Sequence, residues 1–192
     1  MRALRYVLLA AAALSLGSTT ARAQGFITPF LGYNFGGDSS NCESLTSCQD
    51  KRLNFGVSIG AAGGLLGFEE DIAYAKNFFG EVPGVENNVF TAMSNLMIRV
   101  PAGPVQPYVI GGIGLIRPHV SLNPTSVSSD NNALGYDLGG GVNVMFSPHT
   151  GVRGDVRHLH TLQDVGIFSL GHIVSGQRLN FWRASVGLAL TF

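Results

Sequence analysis

The chain has 192 residues, of which 45% are hydrophobic, only 12% charged and 26 are glycine, and its formal net charge is zero. That length suffices for one domain with a real core, and the lack of any basic excess argues against a nucleic-acid partner. Past its first residues no run reaches the ~18 apolar residues of a membrane-spanning helix, so a chain this apolar must place its hydrophobic groups another way.

Taken in order, residues 1–23 read as a signal peptide. Arg2 and Arg5 supply the charged start, 6-YVLLAAAALSL-16 the apolar middle and 21-ARA-23 the small residues of a cleavage site. The alternative, an uncleaved anchor, is disfavoured by the shortness of the run. The mature domain is then 24–192. Losing Arg2, Arg5 and Arg22 leaves 9 basic against 12 acidic residues, a net of −3.

After Gln24 the alternation of apolar with polar or small residues predicts eight strands, at 25–36, 52–62, 65–78, 88–100, 105–117, 133–146, 151–163 and 179–192. Three connections are tight: 61–66, 101–104 and 147–150. Four are long and polar: 37–51, 79–88, 118–132 and 164–177. An even strand count with short turns at one end and long loops at the other predicts an all-β, eight-stranded antiparallel up-and-down transmembrane β-barrel, its turns periplasmic and its loops extracellular. The first long loop holds Cys42 and Cys48. In an exported protein, two cysteines so close in a polar loop predict a local disulfide.

The alternation also assigns faces. In 52-RLNFGVSIG-60, Leu53, Phe55, Val57 and Ile59 share one face, while Asn54, Gly56, Ser58 and Gly60 share the other. A face so rich in glycine suits a narrow interior, so the apolar face is predicted to meet lipid. Projected inward on this basis, Glu69, Asp71, Asp137 and Asp155 meet Arg99, Arg153, Arg157 and Arg183. An eight-stranded barrel is only wide enough for side chains to fill, which predicts a paired charge network plugging the lumen; a gated polar channel is the alternative. Glu70 falls outward and is expected near the periplasmic rim. Tyr33, Phe35, Tyr74, Tyr136 and Trp182 are candidates for interfacial aromatic belts.

Chemistry is sparse. His158 and His160 share a face, but a third metal ligand is missing. The glycine runs 111-GGIG-114 and 139-GGG-141 are followed by no Lys-Ser/Thr and no helix, so they are not phosphate loops; they predict tight curvature or bulky neighbours. No nucleophile motif accompanies the serines and histidines. His149, His158, His160 and Ser169 keep open a rim-catalysis alternative, but the expectation is no enzyme, no cofactor and no metal.

The stretches 28-TPFLGYNFGG-37, 67-GFEEDIAYAKNFF-79, 107-PYVIGGIGL-115, 138-LGGGVNVMF-146, 151-GVRGDVRHL-159 and 181-FWRASVGLALTF-192, in this order and with this loop asymmetry, resemble the small outer-membrane barrels of the OmpA and OmpX type. The resemblance implies residence in the bacterial outer membrane, with lipid as the surrounding partner and a monomeric barrel. It also implies that the closing row Val186, Leu188, Leu190 and Phe192, ending in an aromatic, resembles the signal such proteins present to the barrel assembly machinery. Nothing follows Phe192, so a peptidoglycan-binding domain is not expected. Two functions remain open. One is a non-enzymatic structural or surface-interaction barrel with a filled polar core, any surface ligand meeting the loops. The other is a small porin-like transporter or ligand-binding barrel for small solutes or hydrophobic compounds.

Overall fold

A computed structural model of the chain describes residues 23–39, 52–81, 85–122, 127–130, 132–169 and 172–192. Eight strands form the barrel: β1 (Gln24–Phe35), β2 (Leu53–Gly63), β3 (Leu66–Lys76), β4 (Val85–Arg99), β5 (Val105–Leu122), β7 (Ala133–Met145), β8 (Thr150–Thr161) and β11 (Asn180–Thr191). Each pairs antiparallel with its neighbour, and β1 pairs with β11, so the sheet closes on itself. Closure leaves no row of unpaired backbone groups within the lipid. The chain end takes part: the Phe192 N–H donates to Gly25 O at 2.9 Å, and the Gly25 N–H to Phe192 O at 3.0 Å. The twelve residues of β1, rising about 3.3 Å each and tilted about 45°, span roughly 28 Å, close to the ~30 Å hydrocarbon core of a bilayer.

Three further strands lie in the long connections. A four-residue strand, β6 (Val127–Asp130), pairs with the far end of β5. A hairpin of β9 (Val165–Ser169) and β10 (His172–Gln177) forms a separate two-stranded sheet in the fourth long loop. Cys42 and Cys48, and residues 1–22 of the expected signal peptide, lie outside the described residues.

The facing follows the alternation. Leu31, Leu53, Leu96, Ile113, Leu138 and Val186 are outward and exposed, whereas Thr28, Asn34, Asn54, Ser58, Thr91 and Asn95 are buried inside. In water such an outer surface would be a very large apolar patch; in lipid it is solvated. Two inward glycines are needed for what lies opposite them. A Cβ on Gly139 would sit 2.8 Å from Arg157 Cγ, and one on Gly141 would sit 2.6 Å from Asp155 Cβ. These approaches are closer than real Cβ atoms tolerate, so the glycine run makes room for the charged side chains of β8.

Candidate functional site

The lumen is organised in three layers. The middle layer is ionic. Arg157, on β8 and fully buried, reaches four carboxylates: its Nη2 donates to Glu69 Oε1 at 2.8 Å and to Asp155 Oδ2 at 2.9 Å, and its Nη1 lies 3.5 Å from both Asp71 and Asp137. Arg153, two inward positions nearer the periplasm, pairs with Glu69 through Nη1. Its Nε donates to the Tyr108 hydroxyl at 2.6 Å, and that hydroxyl donates onward to Asp155 at 2.8 Å. Arg183, on β11, donates to Asp71 at 2.6 Å and lies over the Phe30 ring. Neutral groups complete the set. Ser58 donates to Asp71 at 3.0 Å and Ser185 to Asp155 at 2.9 Å. The Asn95 amide, with its nitrogen toward Asp137 at 2.6 Å and its oxygen toward Arg157 at 3.2 Å, bridges those two.

Buried charges persist only when paired and hydrogen-bonded, since removing an ion from water costs several kcal/mol. Strand alternation explains how one face supplies them: Arg153, Asp155 and Arg157 occupy successive inward positions of β8, so their charges alternate along the barrel axis. Register explains the reach, because β11 sets Ser185 opposite Asp155 and Arg183 opposite Arg157.

The extracellular layer is apolar. Phe78 and Phe79 belong to the turn after β3, which folds into the barrel mouth; the Phe78 ring packs edge-on against Phe181 at 4.7 Å and Phe79 at 5.0 Å. Met93, Ile116, Leu159 and Leu179 complete this cluster. Left-handed backbone at Asn77 (φ 53°) and positive φ at Gly80 (107°) make the turn. Asn87 fixes it from β4, accepting from the Phe79 N–H and donating to Gly80 O, each at 2.9 Å.

The periplasmic layer is open. A cavity of about 430 Å³ lies within the short-turn end, bounded by Gly103, Pro104, Ser147 and Pro148 at its mouth and by Arg153 at its floor.

Of the eight charges predicted for the lumen network, seven come together. Arg99 does not join them. It faces inward but at the periplasmic mouth, where its partners are Gly64 O at 3.2 Å and, at 3.4 Å, Ala62 O and Gln106. The predicted equality of four acids and four bases is therefore four against three in the network itself. The reason is height: Arg99 is the last residue of β4, below the layer that Glu69 and Asn95 share by register.

Glu70 is outward as expected, but it lies four residues into β3 and not at the strand end; Ser94 on β4 lies within hydrogen-bond distance of both its carboxylate oxygens, at 2.8 and 2.9 Å. His158 and His160 also point outward. His158 packs 4.9 Å from Trp182 and His160 5.4 Å from Tyr136, in a row of outward-facing rings that the stacked Phe35–Trp182 pair continues. Among the described residues no group of three metal-ligating side chains occurs. Val186, Leu188 and Phe192 are exposed on the lipid face, and Leu190 is half-buried.

Sequence reasoning passed over Tyr108 and the Phe78–Phe79 pair. The signal for Tyr108 was its inward parity with Ile110 on β5. For the phenylalanines it was two adjacent aromatics between an asparagine and a glycine, a turn that would expose them unless it folded inward.

Comparison with known proteins gives the same architecture. The sequence family described as outer membrane protein beta-barrel domain matches residues 7–192. A comparison with curated protein sequences returned no match. Among solved structures, the Neisserial surface protein A superposes with a TM-score of 0.61 at 17% identity, covering 88% of this chain and 97% of that one. The outer membrane protein OprG from Pseudomonas aeruginosa gives a TM-score of 0.57 at 15% identity, over 88% and 96% of the two chains. A major outer membrane protein from Thermus thermophilus also gives 0.57, at 13% identity over 89% and 100%. At these identities the likeness is one of fold.

Proposed function

The chain belongs to the outer membrane protein beta-barrel domain family and resides in the bacterial outer membrane, and from that premise we propose that it is a non-enzymatic, monomeric barrel with a structural or surface-interaction role, closed to solutes. The observation that carries this reading is the middle layer of the lumen. Three arginines and four carboxylates fill it, each with a side chain at most 4% exposed, and an apolar cap lies above them. A path for ions would have to break several charge-assisted hydrogen bonds in a medium where unpaired charges are strongly disfavoured. Contacts with a surface ligand then fall to the loops, as is usual when a rigid scaffold carries variable connections. The terminal row Val186, Leu188, Leu190 and Phe192 serves in this reading as the signal to the assembly machinery.

Reconstitution in a planar bilayer tests it. The expected result is no steady single-channel current. Large, stable currents from the unmodified protein would overturn the closed barrel and favour the transporter.

A further inference from the structure

The cavity at the periplasmic end is not needed to close the barrel, and its lining is chemically one-sided. Its volume of about 430 Å³ lies within the ~300–1,000 Å³ of small-molecule sites. The charged residues lining it are Arg99 and Arg153; among the described residues no aspartate or glutamate lines it. Arg153 is paired with Glu69 and Asp155, although its buried Nη2 has no hydrogen-bond partner among the described residues. Arg99 has no carboxylate partner among the described residues, and its three acceptors are neutral oxygens at 3.2 to 3.4 Å, longer than the ~2.7–2.9 Å of a charge-assisted hydrogen bond. A guanidinium presents a planar fork of donors that fits a carboxylate or phosphate two-pronged. Around it the wall is mixed. Phe26, Met97 and Met145 give apolar surface that excludes water, while Gln24 and Asn143 offer neutral polar groups. Partial exclusion of water strengthens an ion pair over one in open solvent.

We propose that this vestibule is a periplasm-facing binding site for a small organic anion bearing a carboxylate or phosphate group, with Arg99 as the recognising cation. Arg153 and the ionic layer above form a floor, so the ligand enters and leaves from the same side. The site is a dead-end receptor and not a segment of a pore. Its dead-end character rests on the closed lumen proposed above, whereas anion binding at Arg99 does not, because the vestibule opens below the layer that conductance would have to breach.

The full barrel, carrying ¹³C-methyl methionine in zwitterionic phosphatidylcholine nanodiscs, tests it. Three ligands of similar shape are titrated: benzoate, phenyl phosphate and neutral benzamide. Met97 and Met145 line the vestibule, whereas Met93 belongs to the extracellular cluster and serves as the internal reference. The expected result is a saturable shift of the Met97 and Met145 methyl signals with at least one anion, no response to benzamide and a fixed Met93 signal. The anion that saturates first identifies the headgroup as carboxylate or phosphate. Arg99→Gln should weaken binding at least tenfold, and Arg99→Lys should retain part of it, since the charge stays but the fork is lost. An unchanged Met93 signal verifies that each variant is folded. The proposal is overturned by no saturable shift with either anion, by an equal response to benzamide, or by undiminished binding in folded Arg99→Gln. Because the first two outcomes come from the unmodified protein, failure of a variant to fold does not rescue the proposal.

Discussion

The two ends of the lumen are lined by the same alternation of inward residues, yet one is sealed and the other is open. At the extracellular end the turn after β3 returns into the barrel and brings Phe78 and Phe79 onto Phe181, Leu159 and Leu179. At the periplasmic end the turns at Gly103 and Ser147 stay at the rim, and a cavity remains between Phe26, Met97 and Arg153. The difference lies in connection length. A tight turn has no residues to spare for filling a mouth, whereas a longer connection can place side chains inside it. Periodicity within strands therefore decides which residues face the lumen, and the connections decide whether the lumen is closed.

The ionic layer between the two ends should dominate stability. Replacing Arg157 by Ala removes the shared partner of Glu69, Asp71, Asp137 and Asp155 and should destabilise the barrel by about 3–5 kcal/mol. Arg153→Ala and Asp155→Ala should follow in the same direction. Urea unfolding in lipid vesicles, read by the gel shift between folded and unfolded barrels, measures the loss. A change below about 1 kcal/mol for Arg157→Ala would mean that the layer is hydrated and not sealed.

The extracellular cap comes next. Phe78→Ala deletes a buried ring, a change of about 3 kcal/mol at the low end of such substitutions. If closure is layered, the variant should still pass no current, because the ionic layer below is intact. Conductance appearing in Phe78→Ala but not in the unmodified protein would instead make the cap the seal.

The first long loop should contribute less. A Cys42–Cys48 bond closes only a short loop, so its stabilisation is on the order of 2–3 kcal/mol at most. Thiol labelling of unreduced folded protein should find neither cysteine reactive, and Cys42→Ser with Cys48→Ser should leave the barrel folded.

A smaller effect is expected where the same loop leaves β1. Asp38 accepts from the Asn180 N–H at 2.8 Å; burial raises its pKa above the ordinary carboxylate value, with the Asn180 hydrogen bond and His160 opposing the rise. The folded state therefore holds the Asp38 proton more tightly than the unfolded chain does. Its contribution favours folding below the unfolded value of 3.8 and is lost as pH rises through the raised value. Asp38→Asn keeps the acceptor and should flatten this part of the pH profile, checked by urea midpoints between acidic and neutral pH. Val152→Ala, on the lipid face, should change stability least, within about 0.5 kcal/mol; a loss matching Arg153→Ala would sink the assigned facing.

Much of this was legible from spacing. Apolar residues at every second position of β2, β8 and β11 marked those strands and their faces, because a pleated strand turns successive side chains to opposite sides. The same parity put Glu69, Asp71, Asp137, Arg153, Asp155, Arg157 and Arg183 indoors. It also turned Arg99 inward, and the tight turn predicted at 101–104 put it near the mouth, but parity carries no height for the carboxylates, and only the register of β4 against β3 and β5 showed that they lie in a layer above it. Glu70 shows the same gap: its outward face was legible, but its bond to Ser94 on the neighbouring strand was not.

The sequence by itself determined a closed, lipid-facing eight-stranded barrel with charges inside, since alternation and loop lengths are local properties of the chain. Only the tertiary structure decided which charges pair, that Tyr108 links Arg153 to Asp155, that Phe78 and Phe79 cap one mouth, and that a cavity is left at the other. Those outcomes depend on strand register and on the path of a turn through space. The Tyr108–Arg153 and Asp71–Arg183 bonds join residues 45 and 112 positions apart, a range over which no local pattern specifies contact.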